Sequence, residues 1–463
     1  MKFLAILYDS FREAVDGWVI YVTLGASTLF IVLIACIGYE PVSAEKAFES
    51  ITRRFQIVYA NRNRSTMQRQ FLFGLHFQAA EVKALTAAKR PQEADYQVRL
   101  VIEERDGNGP FLPFGPVPVQ PQRAQEDESK DKKSVLRDVV SFWASSGERD
   151  DTGLKPDEVD ERLTLDFVRD LFEFHGNVKV TKVERLASNH DRHEFLVTTQ
   201  GEKGVRGWLH EPTFLFGALT VPIELSLGML VYIIQDRIIN GVGAWVALLV
   251  GVLLTASFIP NMMRKGAIDL IIAKPIRRVS LLVYKYVGGL TFVFINTAYA
   301  VTGVWLVTGL RSGVWSNGFL LTIFAITFYF AILYAVSLLL GVLSRNTIVA
   351  IMGTIAFWFA LWLAGSIYEA VDVFRREPST RDRIPSWVYR AVDTVNTVLP
   401  RTKDLDKLTS KLVVQDTLGE GDKRQLKLDT LTWPSWSEVL SVSGIYICVM
   451  LGLAAWRFST RDY

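Results

Sequence analysis

Hydrophobic residues along this chain gather in runs long enough to cross a bilayer. A helix rises 1.5 Å per residue, so a hydrocarbon core of about 30 Å needs about 20 apolar residues. Six stretches free of Asp, Glu, Lys and Arg are of that order: Gly17 to Tyr39, Ile238 to Met263, Tyr286 to Leu310, Ser312 to Ser344, Asn346 to Tyr368 and Val439 to Trp456. Trp18, Tyr39, Trp245, Tyr286, Trp315, Tyr368, Trp436 and Trp456 stand near their ends, as the amphipathic rings of an interfacial belt do. The pattern predicts six transmembrane helices.

A seventh apolar stretch, residues 214 to 234, is interrupted by Pro222 and Glu224. A carboxylate at the bilayer centre costs roughly 2.5 to 3.5 kcal/mol, and the pieces on either side are too short to cross. The expectation is a re-entrant or interfacial segment. Ahead of the first run, Phe3, Leu7, Phe11 and Ala14 recur at helical spacing opposite Lys2, Asp9, Arg12, Glu13 and Asp16. This predicts an amphipathic helix on the membrane surface, followed by an uncleaved anchor because no small-x-small cleavage pattern follows.

Two polar excursions separate the runs. Within residues 38 to 213, Tyr96 to Ile102 and Asn177 to Val183 alternate with a period of two, and Phe55 to Tyr59 and Glu194 to Thr198 read as strands. Ser134 to Trp143 and Glu158 to Phe174 place apolar residues at three- and four-residue spacing, the second stopping near Gly176. An inserted α+β domain follows, with the Pro- and Gly-rich stretch Gly109 to Gln122 and the charged run 125 to 133 as its loop. The second excursion, residues 369 to 436, is amphipathic in places and closes on Trp433-Pro434-Ser435-Trp436.

Short loops rich in Lys and Arg stay in the cytoplasm. Arg264, Lys265, Lys274, Arg277, Arg278 and Lys285 crowd the loop after the second run, so that loop is placed inside. Arg345, Arg457, Arg461, Lys2 and Arg12 then also fall inside, against Arg237 and Arg311 in the short outer turns. The chain divides into a surface helix and first span (1–37), an extracytoplasmic α+β insert (38–213), a membrane domain with the re-entrant segment and the inner loop 261–285 (214–368), an extracytoplasmic loop (369–436), and a last span with a cytoplasmic tail (437–463).

Composition narrows the function. The 463 residues carry 51 Lys+Arg and 48 Asp+Glu for a net charge of +3, with the signs interspersed, and this excludes the basic field of a nucleic-acid binder. Cys36 and Cys448 both lie in apolar runs, which excludes a disulfide framework or a cysteine zinc site. His190, His193 and Glu194 lie close enough to be weighed as a metal cluster, but nothing puts both imidazoles on one helical face, and a solvated turn is expected. His76, His175 and His210 are isolated. No paired carboxylates or Ser/His set sits on a recognisable scaffold, so neither catalytic nor metal residues are assigned. Asn296, Thr297, Thr302 and Ser337 fall mid-span, where side chains bond between helices, and Gly288, Gly289, Gly341 and Gly353 permit close helix approach. Glu369 and Asp372 stand at the outer mouth of the fifth run as interfacial charges, with a cationic substrate as the alternative.

The inner loop carries the most information. A short helix over 261 to 272 would expose Arg264, Lys265 and Asp269, with Ile268, Leu270 and Ile271 on its apolar side; Pro275 ends it, and Arg277 and Arg278 hold the chain at the headgroups. Arg264-Lys265-Gly266, Asp269-Leu270, Lys274-Pro275-Ile276-Arg277 and Lys285-Tyr-Val-Gly288-Gly289 resemble the first cytoplasmic loop of the type 2, exporter-type ABC transporter permeases. Ala267 replaces the usual Thr, and no Glu precedes Arg264.

That resemblance implies an inner-membrane, multi-pass permease. It would pair as a homodimer or with a second permease, and a separate ABC ATPase subunit would press on Arg264, Lys265, Gly266, Asp269, Leu270, Lys274, Pro275, Arg277, Arg278 and Lys285. No Gly-x-x-x-x-Gly-Lys-Ser/Thr occurs in the chain, so ATP is assigned to that partner and no cofactor to this chain. The insert would meet cargo or an accessory protein. Two rivals remain: an ATPase-driven assembly or mechanotransmission protein without translocation, and a secondary carrier. The latter is weakened by the absence of internal repeats and of ionisable residues inside the six runs.

Overall fold

The computed structural model describes residues 19–61, 75–104, 135–146, 159–189, 191–201, 206–258, 260, 278–376, 385–426, 428 and 433–460. The predicted surface helix before the first span, the loop over 105–134 and His190 lie outside these residues. The chain opens on α1 (Val19–Ala35), followed by β1 (Gly38–Pro41), α2 (Ala44–Asn61), β2 (Leu75–Ala84), β3 (Tyr96–Glu104), α3 (Val135–Ser146) and α4 (Glu161–Gly176). Next come β4 (Lys179–Ser188), β5 (Arg192–Gln200), β6 (Leu209–Phe214), β7 (Leu219–Thr220) and β8 (Leu225–Ser226). The remainder is helical: α5 (Leu227–Thr255), α6 (Arg278–Ser312), α7 (Thr322–Ser344), α8 (Thr347–Arg376), α9 (Ser386–Val398), α10 (Thr402–Thr417), α11 (Glu420–Gln425) and α12 (Trp436–Thr460).

Two compact units result, one of Gly38–Leu230 with Leu418–Thr430, the other of Met1–Ile37, Val231–Thr417 and Leu431–Tyr463. The first is the expected insert, but it runs past residue 213 and takes up α11 from the second polar excursion. Its main sheet is antiparallel in the order β2-β3-β5-β4. Alternation in β3 buries Val98, Leu100 and Ile102, which meet Phe195 and Val197 of β5 and Phe167 and Phe172 of α4 in one apolar core. Phe48, Ile51 and Phe55 enter the same core from α2. Their spacing of three and four residues is helical, so the strand expected over Phe55 to Tyr59 is the last part of a helix. Asp160 caps α4, accepting from the Leu163 N–H at 2.8 Å, and Asn177 ends the helix in the left-handed region.

The second sheet corrects the re-entrant segment. Strand β6 pairs with β1, β7 and β8, so residues 214 to 226 are β-structure and turns within the insert. Leu215, Phe216 and Gly217 have φ of 53°, 59° and 97°, a left-handed corner that turns the chain back from β6 toward β7. Glu224 is held within the insert: its carboxylate lies 3.6 Å from Lys46 Nζ, and its backbone oxygen accepts from the Arg54 guanidinium. The segment folds as sheet and turns, with Phe214, Leu215, Phe216, Leu219 and Ile223 exposed, and composition alone does not separate such a segment from a re-entrant one. Asp422 of α11 accepts from the Ser226 hydroxyl at 2.8 Å, and burial pushes its carboxyl above the usual range.

In the membrane unit, α7 is the central element. Both faces of its middle turns are buried, from Tyr329 through Leu338, and α5, α6, α8 and α12 pack around it. Tyr334 stacks between Tyr286 of α6 and Phe330, each ring centroid 5.3 Å away. Tyr286 donates its hydroxyl to the Ala331 backbone oxygen at 2.8 Å. Of the mid-span polar residues, Asn296 bonds between helices, its Oδ1 accepting from Ser27 of α1 at 3.3 Å; the hydroxyls of Thr28 and Tyr299 lie 2.9 Å apart. Five helices among the described residues are long and apolar enough to cross a membrane, and α1 is a shorter apolar one.

The second span is shifted. It begins at Leu227 and not at Ile238, runs through a π-helical stretch, Ile233–Gly243, and ends at Thr255. Asp236 and Arg237 therefore fall within the helix instead of ahead of it.

Candidate functional site

Of the residues assigned to the coupling loop, Arg264, Lys265, Gly266, Asp269, Leu270, Lys274, Pro275 and Arg277 lie outside the described residues. Arg278 opens α6. Lys285 was expected on the loop and is instead two turns inside that helix, only 8% exposed. Its backbone oxygen accepts from the Tyr334 hydroxyl at 3.4 Å. The start of α6 is thus tied to the middle of α7. Helix α6 has 35 residues, about 52 Å at 1.5 Å per residue, which exceeds the hydrocarbon core by about 20 Å. One continuous rod joins the end of the loop to the centre of the bundle.

A polar set that sequence reasoning missed lies in the π-helical stretch. Gln235 donates its Nε2 to Thr308 Oγ1 of α6 at 3.1 Å, and Asp236, 5% exposed, accepts from Ser410 of α10 at 2.5 Å. Arg237 Nε stands 3.6 Å from the same carboxylate. The buried Gln235 Oε1 and both side-chain polar atoms of Asn240 have no protein partner. Unpaired buried polar atoms are costly, and π-helical turns recur at functional positions because they displace backbone carbonyls from the regular ladder. The second span therefore holds a buried ionisable group, Asp236, as a carrier would require. An Asp-Arg pair between two apolar runs reads as a loop boundary in sequence; only the bond from Ser410, 174 residues away, reveals that Asp236 is buried while Arg237 stays exposed.

At the far end of α8, Glu369 is engaged by two lysines of α10, Lys403 at 2.6 Å and Lys407 at 3.2 Å. These ion pairs occupy the carboxylate that had been weighed for a cationic substrate. Ser337 and Thr297 keep buried hydroxyls without a partner. In the insert, His193 corrects the solvated turn. It is buried on β5, with Nε2 3.0 Å from Glu104 Oε1 and Nδ1 2.9 Å from Ser188 Oγ. His210 is also buried, its ring nitrogen 2.9 Å from the Trp208 backbone oxygen, and burial lowers its pKa. Among the described residues no three His, Cys, Asp or Glu side chains form a metal-holding group.

Long apolar helices packed around α7, together with an inserted α+β unit, define a multi-pass α-helical membrane protein. The family model described as ABC-2 family transporter protein matches residues 5–463, and the chain belongs to that family. It is an ABC transporter permease in the general sense, a membrane subunit of a kind that is normally non-catalytic and works with an ABC ATPase. No curated protein and no solved structure matches the chain.

Proposed function

We propose that a separate ATP-binding subunit docks on residues 261–278 and drives export, or extraction from the membrane, of a substrate through rearrangement of α5 to α8. The observation that carries this reading is the union of the Arg-Lys-Gly, Asp-Leu and Lys-Pro-Ile-Arg loop with a continuous helix whose first turns touch Tyr334 of the central α7. A force delivered at the start of α6 then reaches the buried stack Tyr286–Tyr334–Phe330 along one helix. Close-packed aromatic contacts shift between discrete arrangements more readily than they deform gradually. The partner subunit supplies ATP, and this chain holds no cofactor. A second copy or a related permease completes the translocation path.

The loop faces the cytoplasm and the insert the opposite side, as the distribution of Lys and Arg favours. The β-structure of residues 214–226 supports this orientation, because it removes the extra crossing that would invert it. A reporter fused near residue 130 should be active only in its exported form; activity confined to the cytoplasmic form would reverse the orientation. In the inner membrane the insert is then placed to receive cargo or an accessory protein.

Reconstitution with the partner subunit tests the function. ATP turnover accompanied by movement of a candidate substrate is the expected result. Turnover without movement across a broad substrate panel would instead favour mechanical work without translocation.

A further inference from the structure

The tip of the β6–β7 hairpin is apolar and open. Every residue from Phe214 through Thr220 is exposed, with Leu215 and Phe216 at 59% and 70%. No Asp, Glu, Lys or Arg occurs between Glu211 and Glu224. Those two carboxylates stand at the base of the hairpin, 2.6 Å and 3.6 Å from Lys46 Nζ. Charge is thus gathered at the base and absent from the tip. Edge strands that face water are protected by charge or by cover, and a consecutive run of exposed apolar residues is a fault in such a surface unless it has a use. The turn is also costly to form. Leu215 and Phe216 have φ of 53° and 59°, left-handed values that bulky side chains rarely take, and strain of this kind clusters at working surfaces.

Strand register ties the tip to the point where the chain leaves the membrane. Gly38 opens β1 three residues after α1 ends at Ala35, a reach of at most about 11 Å. Between them, the Ile37 backbone oxygen accepts from Arg311 Nε at 3.2 Å, and Arg311 is the first charge after the apolar run of α6. Ile37 therefore marks the level at which two apolar helices end. Strand β1 leads away from that point, and the antiparallel β6 returns toward it: Pro41 pairs with His210, and Gly38 with Thr213. Phe214 and the turn after it continue past Gly38, at the end of the sheet that joins α1. Two of the tip's backbone donors are already satisfied there, Ala218 N–H by the Leu215 oxygen at 3.3 Å and Val221 N–H by the Pro212 oxygen at 3.0 Å, which lowers the cost of leaving water.

We propose that the β6–β7 tip is a lipid-binding surface. Phe214, Leu215, Phe216 and Leu219 enter the headgroup and upper acyl layer of the leaflet in which α1 and α6 end, while Lys46, Glu211 and Glu224 stay in water. The bilayer is the occupant because strand pairing carries this charge-free tip back to the end of a membrane helix of the same chain. The inference needs only that α1 and α6 lie in a membrane, so it stands apart from the ATPase-coupled reading and can fail without it.

Fluorescence quenching of the full-length protein in phosphatidylcholine vesicles provides the test. With Cys36 and Cys448 replaced by serine, an environment-sensitive thiol dye is placed on Phe216→Cys or, as a second site, on Leu219→Cys. Thr181→Cys, exposed on β4, is the water-facing control. At residues 216 and 219 the emission should shift to the blue and be quenched by lipid that carries a spin label just below the headgroup. Iodide quenching there should be at least about threefold weaker than at residue 181, as burial about 5 to 10 Å into the interface requires. Agreement between the two sites, each in a protein with an unchanged size-exclusion profile, guards against a local defect in either variant. Iodide quenching equal to that at residue 181 would show a tip in water and overturn the proposal. Protection from iodide without quenching by the spin-labelled lipid would overturn it too, by showing a protein surface, such as a second copy of the chain, over the tip.

Discussion

Replacing Gly289 with leucine is expected to abolish the folded membrane unit. A Cβ at this position would stand 2.6 Å from the Tyr334 ring and 2.9 Å from its hydroxyl oxygen. Tyr334 cannot retreat: it is 1% exposed, held between Tyr286 and Phe330, and its hydroxyl donates to the Lys285 backbone oxygen. Overpacking a tight core costs about 1 to 3 kcal/mol and occasionally more, and a branched side chain against a ring fixed on both faces belongs at the upper end. Gly289→Ala should show a smaller loss in the same direction. Gly444→Leu, where no atom lies within 4 Å of the added Cβ, should change nothing. Size-exclusion profiles and thermal unfolding of the three variants check the ranking; a Gly289→Leu protein as monodisperse and heat-stable as the Gly444→Leu one would contradict the packing described for α6 and α7.

The second large effect concerns association and leaves the fold intact. Reversing two charges of the inner loop, Arg264→Glu with Asp269→Lys, should remove the ATP-binding subunit from the purified complex. Truncating one partner of a buried charge pair at an interface costs about 2 to 5 kcal/mol, so co-purification should fall at least about tenfold. The variant should remain monodisperse. Undiminished co-purification together with undiminished ATP turnover would count against coupling through this loop.

The sequence made the spans legible wherever apolar runs were uninterrupted. Helices α1, α6, α7, α8 and α12 each overlap a run found from charge alone, because hydrocarbon tolerates few charged groups and the signal is local. The start of the second span moved by eleven residues because Asp236 and Arg237 are accommodated in its helix, with Ser410 bonding the carboxylate; the compensating group is remote in sequence and invisible to a window. The same remoteness hid the role of α10. Lys403 and Lys407 are merely two lysines one turn apart until α8 brings Glu369 between them.

In the insert, alternation located β3 and β4, a strand-like run located β5, and helical spacing located α3 and α4. Two errors had one cause. Phe55 to Tyr59 is too short a window to distinguish a strand from the end of a helix whose earlier buried positions are Phe48 and Ile51. Residues 214 to 226 are apolar enough to suggest a membrane segment, but they serve a small sheet whose pairing with β1 spans more than 170 residues. Of the candidate coupling site, the residue types and their order were readable. The burial of Lys285 and its tie to Tyr334 were not, since both depend on how α6 lies against α7.

Cross-linking tests the central claim most directly. With Cys36 and Cys448 replaced by serine, a single cysteine is placed at Asp269 in the full chain, co-expressed with the ATP-binding subunit, and treated with a short thiol-to-amine cross-linker. The account predicts a covalent adduct between residue 269 and that subunit, more abundant with ATP than without, and none when the cysteine stands at Thr181 in the insert. An adduct formed from residue 181 but not from residue 269, with the complex intact, would contradict it.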